Sequence, residues 1–368
     1  MPEAEVHGYI WEVNMQELNA DIAKSINEQI ELLSEAIVSR QYERQPEIWE
    51  PYGDKGRQLS LRDSNHHFRY LVEALTESDP TLFANYVAWI KQLFEGLKFP
   101  PEALTSMLEC TQEVLRERLS KEMSSVTDEY IATAMNRIAH ETTAETSLIS
   151  QDFPLYELAR DYLDTLLRGE RHLASKMILE AFEKRAGIKD IYIYVFQRSQ
   201  YEIGRLWHLN KVSVAQEHYC SAATQLIMSQ LYPHIFSTEK TGRKLVAACV
   251  GGELHEIGVR MVADFFEMEG WDTYYMGANT PTSTVVEAIE SHDPDVLGIS
   301  ASMPFHRGTL KELIETVRDQ DKAGRVKILV GGYALRSSPD LWVKLGADGF
   351  AEDAQQAVSM ANQIVMKV

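Results

Sequence analysis

The stretch "KLVAACVGGELHEIGVRMVADFFEMEG" (residues 244–270) decides the fold class of the C-terminal third of the chain. It contains a short apolar run, a Gly-Gly turn and an amphipathic segment, which is the order of a strand, a loop and a helix. The apolar runs "DTYYMG", "DVLGIS", "KILVGG" and "ADGFA" follow, separated by helical stretches. Because alternating strands and helices form parallel sheets with helices on both faces, we predict a flavodoxin-like sheet of five parallel strands.

Two helical regions precede this sheet. Residues 151–240 contain four amphipathic segments joined by short loops, a pattern that predicts a four-helix bundle. Residues 1–150 also carry apolar positions at helical spacing, and the polar, Pro/Gly-rich stretch 42–63 predicts a loop of about twenty residues. A polar stretch at 142–154 marks the first domain boundary. The predicted class is therefore α + α/β: an all-helical domain (1–150), a helical bundle (151–240) and a Rossmann-like domain (241–368).

Composition and charge exclude several classes of function. The formal net charge is −19, which repels phosphate backbones and anionic lipid, so we expect neither nucleic acid nor a membrane as a partner. No apolar run approaches the ~20 residues that cross a bilayer, and the N-terminus lacks a signal sequence. The three cysteines show no zinc-site spacing and fit a cytoplasmic location, and we expect Cys110 to be packed in a helix and not to anchor a ligand.

The carboxyl ends of three predicted strands carry candidate ligand-binding residues. These ends read "GGELHEIG" (251–258), "SASM" (300–303) and "GGYA" (331–334), and ligands of open parallel sheets bind at this edge. We expect His255 to be a metal ligand there and Glu253 to hold its other ring nitrogen. The alternative is a sheet whose glycines only form tight turns. The remaining candidates either leave space for a bulky ligand or offer it a hydroxyl: Gly258, Ser300, Ser302, Gly331 and Gly332.

These three motifs together resemble the cobalamin-binding domain family, whose pattern is D/E-x-H-x-x-G, then S-x-L, then G-G. The resemblance implies that His255 is the lower cobalt ligand. It also implies that the small residues at the three strand ends line a slot for the nucleotide tail of cobalamin. Two positions depart from the pattern, because Glu253 replaces the commoner aspartate and Ser302 stands where leucine is usual.

The stretch "WHLNKVSVAQEH" (207–218) gathers two histidines, a tryptophan and a glutamate around a short turn. Ser213 followed by Gln216 is a capping box and predicts a helix start. One interpretation is a helical corner with a core tryptophan. The stretch also resembles the cap of CarH-type photoreceptors, which bind adenosylcobalamin. That resemblance implies roles for four residues: Trp207 packs on the adenosyl group, Glu217 and His218 recognise its ribose or purine, and His208 becomes the upper cobalt ligand in the light state.

The first 150 residues lack the basic recognition helix of a DNA-binding domain. The segments "NHHFRYLVEAL" and "DPTLFANYVAWIKQLF" instead resemble the front domain of photocobilins, which pair cobalamin with a bilin, typically biliverdin. The alternative is a helical dimerisation or partner-docking module with a solvated face. The resemblance implies cationic groups for propionates or pyrrole carbonyls and aromatic rings for stacking, supplied by Arg57, Arg62, His66, His67, Arg69, Tyr86 and Trp89.

The leading hypothesis is a light-sensing adenosylcobalamin photoreceptor that also binds biliverdin and has no enzymatic activity of its own. We expect it to signal through cobalt–carbon photolysis, as a homo-oligomer (dimer or tetramer) with light-dependent assembly or through a separate output protein. The alternative is a corrinoid protein that carries methyl groups for a cobalamin-dependent methyltransferase. A cobalamin-dependent mutase subunit is disfavoured, since no substrate-binding barrel is predicted. The pair Trp207-His208 with Glu217-His218 separates the first two hypotheses, because a methyl carrier does not need it.

Overall fold

The computed structural model describes residues 3–140, 146–236, 238–321, 324–336 and 340–366, with side chains from Met15 onward. The chain divides into two compact units. One comprises Met1–Glu145 with His208–Lys211, and the other comprises Thr146–Trp207 with Val212–Val368. Part of the predicted boundary stretch, residues 142–145, lies outside the described residues. The division into three domains at 150 and 240 stays a prediction.

The described part of the first unit is helical. Its core consists of apolar residues at helical spacing, among them Phe68, Leu71, Phe83 and Ile131, all fully buried. Asp79 caps the helix that begins at Pro80, because its side chain accepts a hydrogen bond from the Thr81 amide at 2.9 Å. The helices are α1 (Glu3–Asn27), α2 (Ile30–Arg44), α3 (Pro46–Trp49), α4 (Gly53–Thr76), α5 (Pro80–Gly96), α6 (Pro101–Arg118) and α7 (Lys121–His140).

The predicted loop at 42–63 is wrong. The end of α2, the short helix α3, a 3₁₀ turn (Glu50–Tyr52) and the first half of α4 make up this stretch. Pro46 and Pro51 stand in first turns, where the missing N–H costs nothing. Gly53, at φ +58°, provides the turn between the 3₁₀ segment and α4. Residues that look like helix breakers therefore separate consecutive helices here.

The second unit begins with a helical cap. A π-helix (Ile191–Gln197) interrupts the third predicted segment, between α10 and α11. Ser213 and Gln216 form the expected capping box at the start of the following helix. The four segments predicted from the sequence are confirmed, and they comprise α8 (Tyr156–Leu167), α9 (Arg171–Glu183), α10 (Ile188–Asp190) with α11 (Arg198–His208), and α12 (Val214–Gln230), followed by the short α13 (Tyr232–Ile235).

A five-stranded parallel sheet follows, with strand order β2-β1-β3-β4-β5, which confirms the predicted flavodoxin-like fold. Apolar residues on one sheet face join the core of the cap, and those on the other face form a second core under the remaining helices. The strands are β1 (Lys244–Cys249), β2 (Asp272–Gly277), β3 (Val296–Ser300), β4 (Lys327–Gly331) and β5 (Gly349–Ala351). The helices are α14 (Ile257–Met268), α15 (Thr282–His292), α16 (Arg307–Gln320), α17 (Leu341–Lys344) and α18 (Ala354–Met366).

No helix in the described ranges is long and apolar enough to span a membrane.

Candidate functional site

Strand register brings the three sequence motifs to one edge of the sheet. Cys249 at the end of β1 pairs with Ser300 at the end of β3, and Ser300 pairs with Gly331 at the end of β4. The loops that follow these strands therefore start side by side. The predicted edge site rests on this register.

Glu253 connects two of these loops. Its carboxylate is fully buried, and Oε1 accepts hydrogen bonds from the Nδ1 of His255 at 2.5 Å and from the backbone amide of His255 at 2.9 Å. Oε2 accepts from the amides of Ser302 at 2.7 Å and Met303 at 3.1 Å. The contact predicted between Glu253 and His255 is thus present. The same carboxylate also fixes the loop after β3 against the loop after β1.

His306 and Asn279 also belong to this edge, although the motifs did not identify them. The Nδ1 of His306 lies 3.1 Å from Oε2 of Glu253, and its ring is buried. A Cβ on Gly252, which has φ +83°, would stand 3.2 Å from Nε2 of His306, so the glycine leaves room for this ring. The Asn279 side chain accepts from the Gly252 amide at 2.7 Å. Their positions in the sequence could have identified both residues, because each follows the end of a strand at this edge.

Opposing effects set the protonation of this cluster. Burial alone would raise the pKa of Glu253, but the hydrogen bonds from His255 and His306 hold its pKa well below its usual range. The bond to Glu253 raises the pKa of His255 against the effect of burial, and the nearby charge of Glu217 raises it further. The carboxylate therefore stays ionised and makes the His255 imidazole more basic, as expected of a group that supports a metal ligand.

His255 has the accessibility that a ligand to a large cofactor needs. Its side chain is 66% exposed, in contrast to the fully buried Glu253. Because Nδ1 is held by Glu253, Nε2 is the nitrogen that points to other partners. Gly258, at the start of α14, has no atom within 4 Å of the place where a Cβ would stand. An anchored imidazole beside open space fits a corrinoid whose cobalt binds histidine.

The fold itself explains the glycines at the end of β4 (Gly331) and directly after it (Gly332). A Cβ on Gly332, which has φ +102°, would stand 2.2 Å from the carbonyl oxygen of Ala301. A Cβ on Gly331 would stand 3.0 Å from the carbonyl oxygen of Ala351. The chain's own backbone therefore requires Gly332, whereas a role for these two glycines in lining a slot stays a prediction.

The cap residues Glu217 and His218 lie together in the first turn of α12. Oε2 of Glu217 is 2.5 Å from Nδ1 of His218, and Ser221 donates to Oε1 of Glu217 at 2.9 Å. The His218 side chain is 75% exposed. Trp207 is half-buried near the end of α11. The structure thus presents the carboxylate and the imidazole as one polar pair.

His208 makes its contacts within the first compact unit. Its Nε2 donates to the carbonyl oxygen of Trp89 at 2.7 Å, and the two rings stack at 4.3 Å with an interplanar angle of 4°. Burial lowers the pKa of His208, and the bond to Trp89 partly offsets this effect. If His208 is an upper cobalt ligand, it must bind the metal through Nδ1 or break this hydrogen bond.

The basic candidates of the first unit lie at its surface. Arg62 pairs with Asp63 at 3.5 Å, and both side chains are 66% exposed. Burial lowers the pKa of His66, and the charge of Asp63 opposes this effect. The charges of Arg69 and Arg62 lower the pKa further, so these side chains lie near one another. Arg57 instead donates to Ser39 on α2 at 2.8 Å.

His67 and Tyr86 belong to the interior of the first unit. His67 is 2% exposed, burial lowers its pKa to about 4, and neither ring nitrogen has a hydrogen-bond partner among the described residues. Its ring lies 5.0 Å from that of Phe83 and 5.6 Å from that of Tyr86, and Tyr86 stacks on Tyr70 at 3.7 Å. The structure does not bring the buried His67 together with the exposed Arg62. Two further residues were considered for the ligand: Trp89 is 39% exposed, and Cys110 is fully buried, as expected of a packed residue.

Family models match three parts of the chain. Residues 243–359 match a B12 binding domain, and residues 158–232 match a second B12 binding domain model that covers the helical cap. The chain is a cobalamin-binding protein. Residues 11–138 match the phycobilisome protein family, so a phycobilisome-like helical domain precedes the B12 module.

Curated relatives of this cobalamin-binding protein are corrinoid proteins of Methanosarcina acetivorans. Its chain is 30% identical over 129 residues to dimethylamine corrinoid protein 3. The aligned region covers 35% of this chain and 59% of the relative. It is 28% identical over 171 residues to dimethylamine corrinoid protein 2, with 45% of the chain and 76% of the relative covered. The solved monomethylamine corrinoid protein of Methanosarcina barkeri shares the fold: the TM-score is 0.52 at 21% identity, over 57% of this chain and all of that chain.

Proposed function

We propose that this cobalamin-binding protein is a light sensor that binds adenosylcobalamin in its second unit and a bilin, biliverdin, in its first. The observation that carries the proposal is the combination of a phycobilisome-like domain and a B12 module in one chain. Phycobilisome proteins are pigment proteins, and a chain that only carries methyl groups has no use for a pigment domain. The pair of Trp207-His208 with Glu217-His218 further supports an adenosyl upper ligand.

The residues at the sheet edge would hold the cofactor. Adenosylcobalamin supplies a cobalt–carbon bond that visible light breaks. His255 would be the lower cobalt ligand, and Glu253 would keep its Nδ1 protonated and its ring oriented. Gly258, Ser300, Ser302, Gly331 and Gly332 would line the tail slot.

The cap residues would select and sense the upper ligand. Trp207 would pack on the adenosyl group and exclude water from it. Glu217 and His218 would bond the ribose or the purine, since together they offer an acceptor and a ring nitrogen within 2.5 Å of each other. His208 would serve as the upper ligand after light, through Nδ1 or at the expense of its bond to Trp89.

The first unit would bind biliverdin through charge at the surface and aromatic rings inside. Arg62, His66 and Arg69 form a basic group suited to the propionates. His67 is a buried imidazole between aromatic rings, and it would bond a pyrrole nitrogen or carbonyl if the ligand reaches it. Because His67 is closed off in this structure, binding would require α4 and α5 to rearrange. Arg57, Tyr86 and Trp89 remain further candidates.

A second candidate function is methyl transfer. The relatives are named as corrinoid proteins for dimethylamine, which favours a carrier of methyl groups for a partner methyltransferase. A carrier needs a lower histidine but no specific recognition of ribose. The two functions therefore differ in the expected preference for the upper ligand.

Binding of adenosylcobalamin and methylcobalamin tests the proposal. The wild type should prefer adenosylcobalamin, and green light should permanently change the absorbance of that complex. Trp207→Ala should lose the preference, because it removes the indole ring that is proposed to pack on the adenosyl group. Equal affinity of the wild type for both cobalamins, with no light response, would favour the methyl carrier.

Two further spectra test the proposed cofactor residues. His255→Ala should weaken cobalamin binding or give a base-on or water-ligated spectrum, whereas His172→Ala, an exposed cap histidine, should change nothing. Biliverdin added to the full chain should give a structured far-red band that weakens in Arg62→Ala and His67→Ala. If biliverdin has the same spectrum with the full chain as in buffer alone, the first unit is better explained as a dimerisation or partner-docking module.

A further inference from the structure

A continuous line of hydrogen bonds crosses the cap and ends at Glu217. The hydroxyl of Tyr162 on α8 lies 2.9 Å from that of Thr224 on α12, and both residues are fully buried. The Gln200 side chain on α11 contacts Thr224 at 2.9 Å and Ser221 at 3.0 Å. Ser221 in turn lies 2.9 Å from Oε1 of Glu217. Three helices thus meet through Gln200, which no motif of the sequence identified.

The number of protons along this line gives Gln200 a specific role. Ser221 has one hydroxyl proton but two acceptors, the Glu217 carboxylate and the Gln200 amide oxygen. In the orientation found, the Gln200 nitrogen donates to Thr224, so the Ser221 proton is shared between two oxygens. A 180° turn of the amide exchanges its nitrogen and oxygen. Gln200 then donates to Ser221, and the Ser221 proton goes to Glu217 alone.

In the second orientation, all hydrogen bonds of the line run in the same direction, from Tyr162 to Glu217. Tyr162 donates to Thr224, Thr224 donates to the Gln200 oxygen, the Gln200 nitrogen donates to Ser221, and Ser221 donates to Glu217. Thr224 and Ser221 each donate once and accept once, and Tyr162 donates, an arrangement in which neighbouring hydrogen bonds strengthen one another. The line begins at the fully buried Tyr162, so it ties the carboxylate at its other end to the interior of the cap.

We propose that Gln200 is a positioning residue that sets the preference for the upper ligand by holding Glu217 through Ser221. This inference rests on the proposed binding of adenosylcobalamin. Oε1 of Glu217 accepts from Ser221 and Oε2 faces His218, so both oxygens of the carboxylate are held by partners within the cap. The charge of Glu217 raises the pKa of His255, which indicates that Glu217 lies near the proposed cobalt ligand. A ligand with hydroxyl donors gains from a fixed carboxylate, whereas a methyl group does not.

The test compares the affinities of the full chain for adenosylcobalamin and methylcobalamin. Gln200→Leu and Ser221→Ala should each weaken adenosylcobalamin binding about tenfold, because each breaks the line of hydrogen bonds that holds the Glu217 carboxylate, and should leave methylcobalamin binding unchanged. Retained methylcobalamin binding shows that the variants fold. The matched control is Gln230→Leu, which removes another cap glutamine bonded to a serine, Ser175, at 2.6 Å. It should leave both affinities unchanged.

A double variant separates positioning from packing. If Gln200 acts through Glu217, then Gln200→Leu combined with Glu217→Gln should bind adenosylcobalamin no more weakly than Glu217→Gln alone. Additive losses, or equal losses with both cobalamins, would overturn the inference. So would an unchanged preference in both Gln200→Leu and Ser221→Ala. A wild type without any preference would instead contradict the proposed function itself.

Discussion

Two buried histidines show how partners decide what an imidazole contributes. His306 lies against the carboxylate of Glu253 at 3.1 Å, so its burial is compensated by a hydrogen bond to a charged group. His67 is equally inaccessible, but its neighbours are the rings of Phe83 and Tyr86. Burying polar atoms without partners costs stability and is typical of residues kept for a function. His67 is therefore a weak point of the first unit unless a ligand binds it.

We expect His67→Leu to stabilise the cofactor-free protein, and more so in acid. The folded pKa of His67 is about 4, below the value of about 6.5 in an unfolded chain. Below about pH 6.5 the unfolded state binds a proton that the folded state refuses, so wild-type stability falls as the pH falls. The variant should gain about 2 kcal/mol more at about pH 5 than at neutral pH. Urea unfolding at both pH values measures this, and an equal gain at both would contradict it.

Sequence patterns identified the residues whose partners are close in sequence. The bond between Glu253 and His255 spans two positions, and Glu217 contacts the adjacent residue His218. His306 meets Glu253 across 53 positions, and that meeting depends on strand register. Histidine and glutamate patterns alone cannot supply that register.

At the scale of elements, the motif glycines fall into two kinds. Gly332 allows β4 to approach the backbone of Ala301, which leaves no room for a methyl group. Gly258 begins α14 in open space, where nothing in the protein requires a glycine. Folding thus explains Gly332, whereas the role of Gly258 beside a bound cofactor stays a prediction.

Alanine substitutions should separate these two kinds. Gly258→Ala should fold normally and even gain about 0.5–1 kcal/mol from helix propensity, yet bind cobalamin more weakly because the methyl group enters the proposed slot. Gly332→Ala should lose folding stability, since both its φ of +102° and its contacts oppose a side chain. Thermal unfolding and cobalamin titration of both variants check this. Undiminished cobalamin binding in Gly258→Ala would remove the slot from this position.

The prediction of elements succeeded where hydrophobic periodicity was strong. All five strands and the cap helices have apolar runs that propensity and spacing identify. The stretch 42–63 failed because Pro and Gly have two meanings: they end one helix, and they also start the next. The π-helix at Ile191–Gln197 carries no sequence signal that periodicity can detect.

The π-helix is attached to α14 by a titratable contact. The hydroxyl of Tyr192 donates to Asp264 at 2.8 Å. Burial raises the pKa of Asp264 to about 6, although the bond from Tyr192 and the charge of Arg260 work against this rise. Between about pH 4 and about pH 6, the folded state therefore keeps Asp264 protonated, whereas the unfolded state has already released this proton.

Asp264→Asn should remove a specific pH dependence of stability. Because the folded pKa lies above the ordinary one, the wild type should gain stability relative to Asp264→Asn as the pH falls from about 7 to about 4, by up to about 3 kcal/mol. The difference between the two unfolding curves isolates this effect from that of His67. A difference that is constant over this range would show that folding does not raise the pKa of Asp264.

At the scale of the whole molecule, charge opposes self-association. The net charge of −19 makes copies repel one another, so an assembly needs specific contacts and should strengthen when salt screens the repulsion. We expect the adenosylcobalamin-loaded protein to change its oligomeric state on exposure to green light. Sedimentation in darkness and after light measures this, with the methylcobalamin-loaded protein as the control. An identical mass in both states would direct the search to a separate output protein.

Hydrogen exchange of the amides bonded to Glu253 reports local opening at the sheet edge. The amide protons of Ser302 and Met303 end on Oε2, so they can exchange with solvent only when the loop after β3 separates from that after β1. Their exchange rates therefore report the same carboxylate that orients His255. Loading with cobalamin should slow the exchange of both amides, and deuterium uptake by a peptide spanning 300–306 would then reveal the state of the cofactor site without any absorbance measurement.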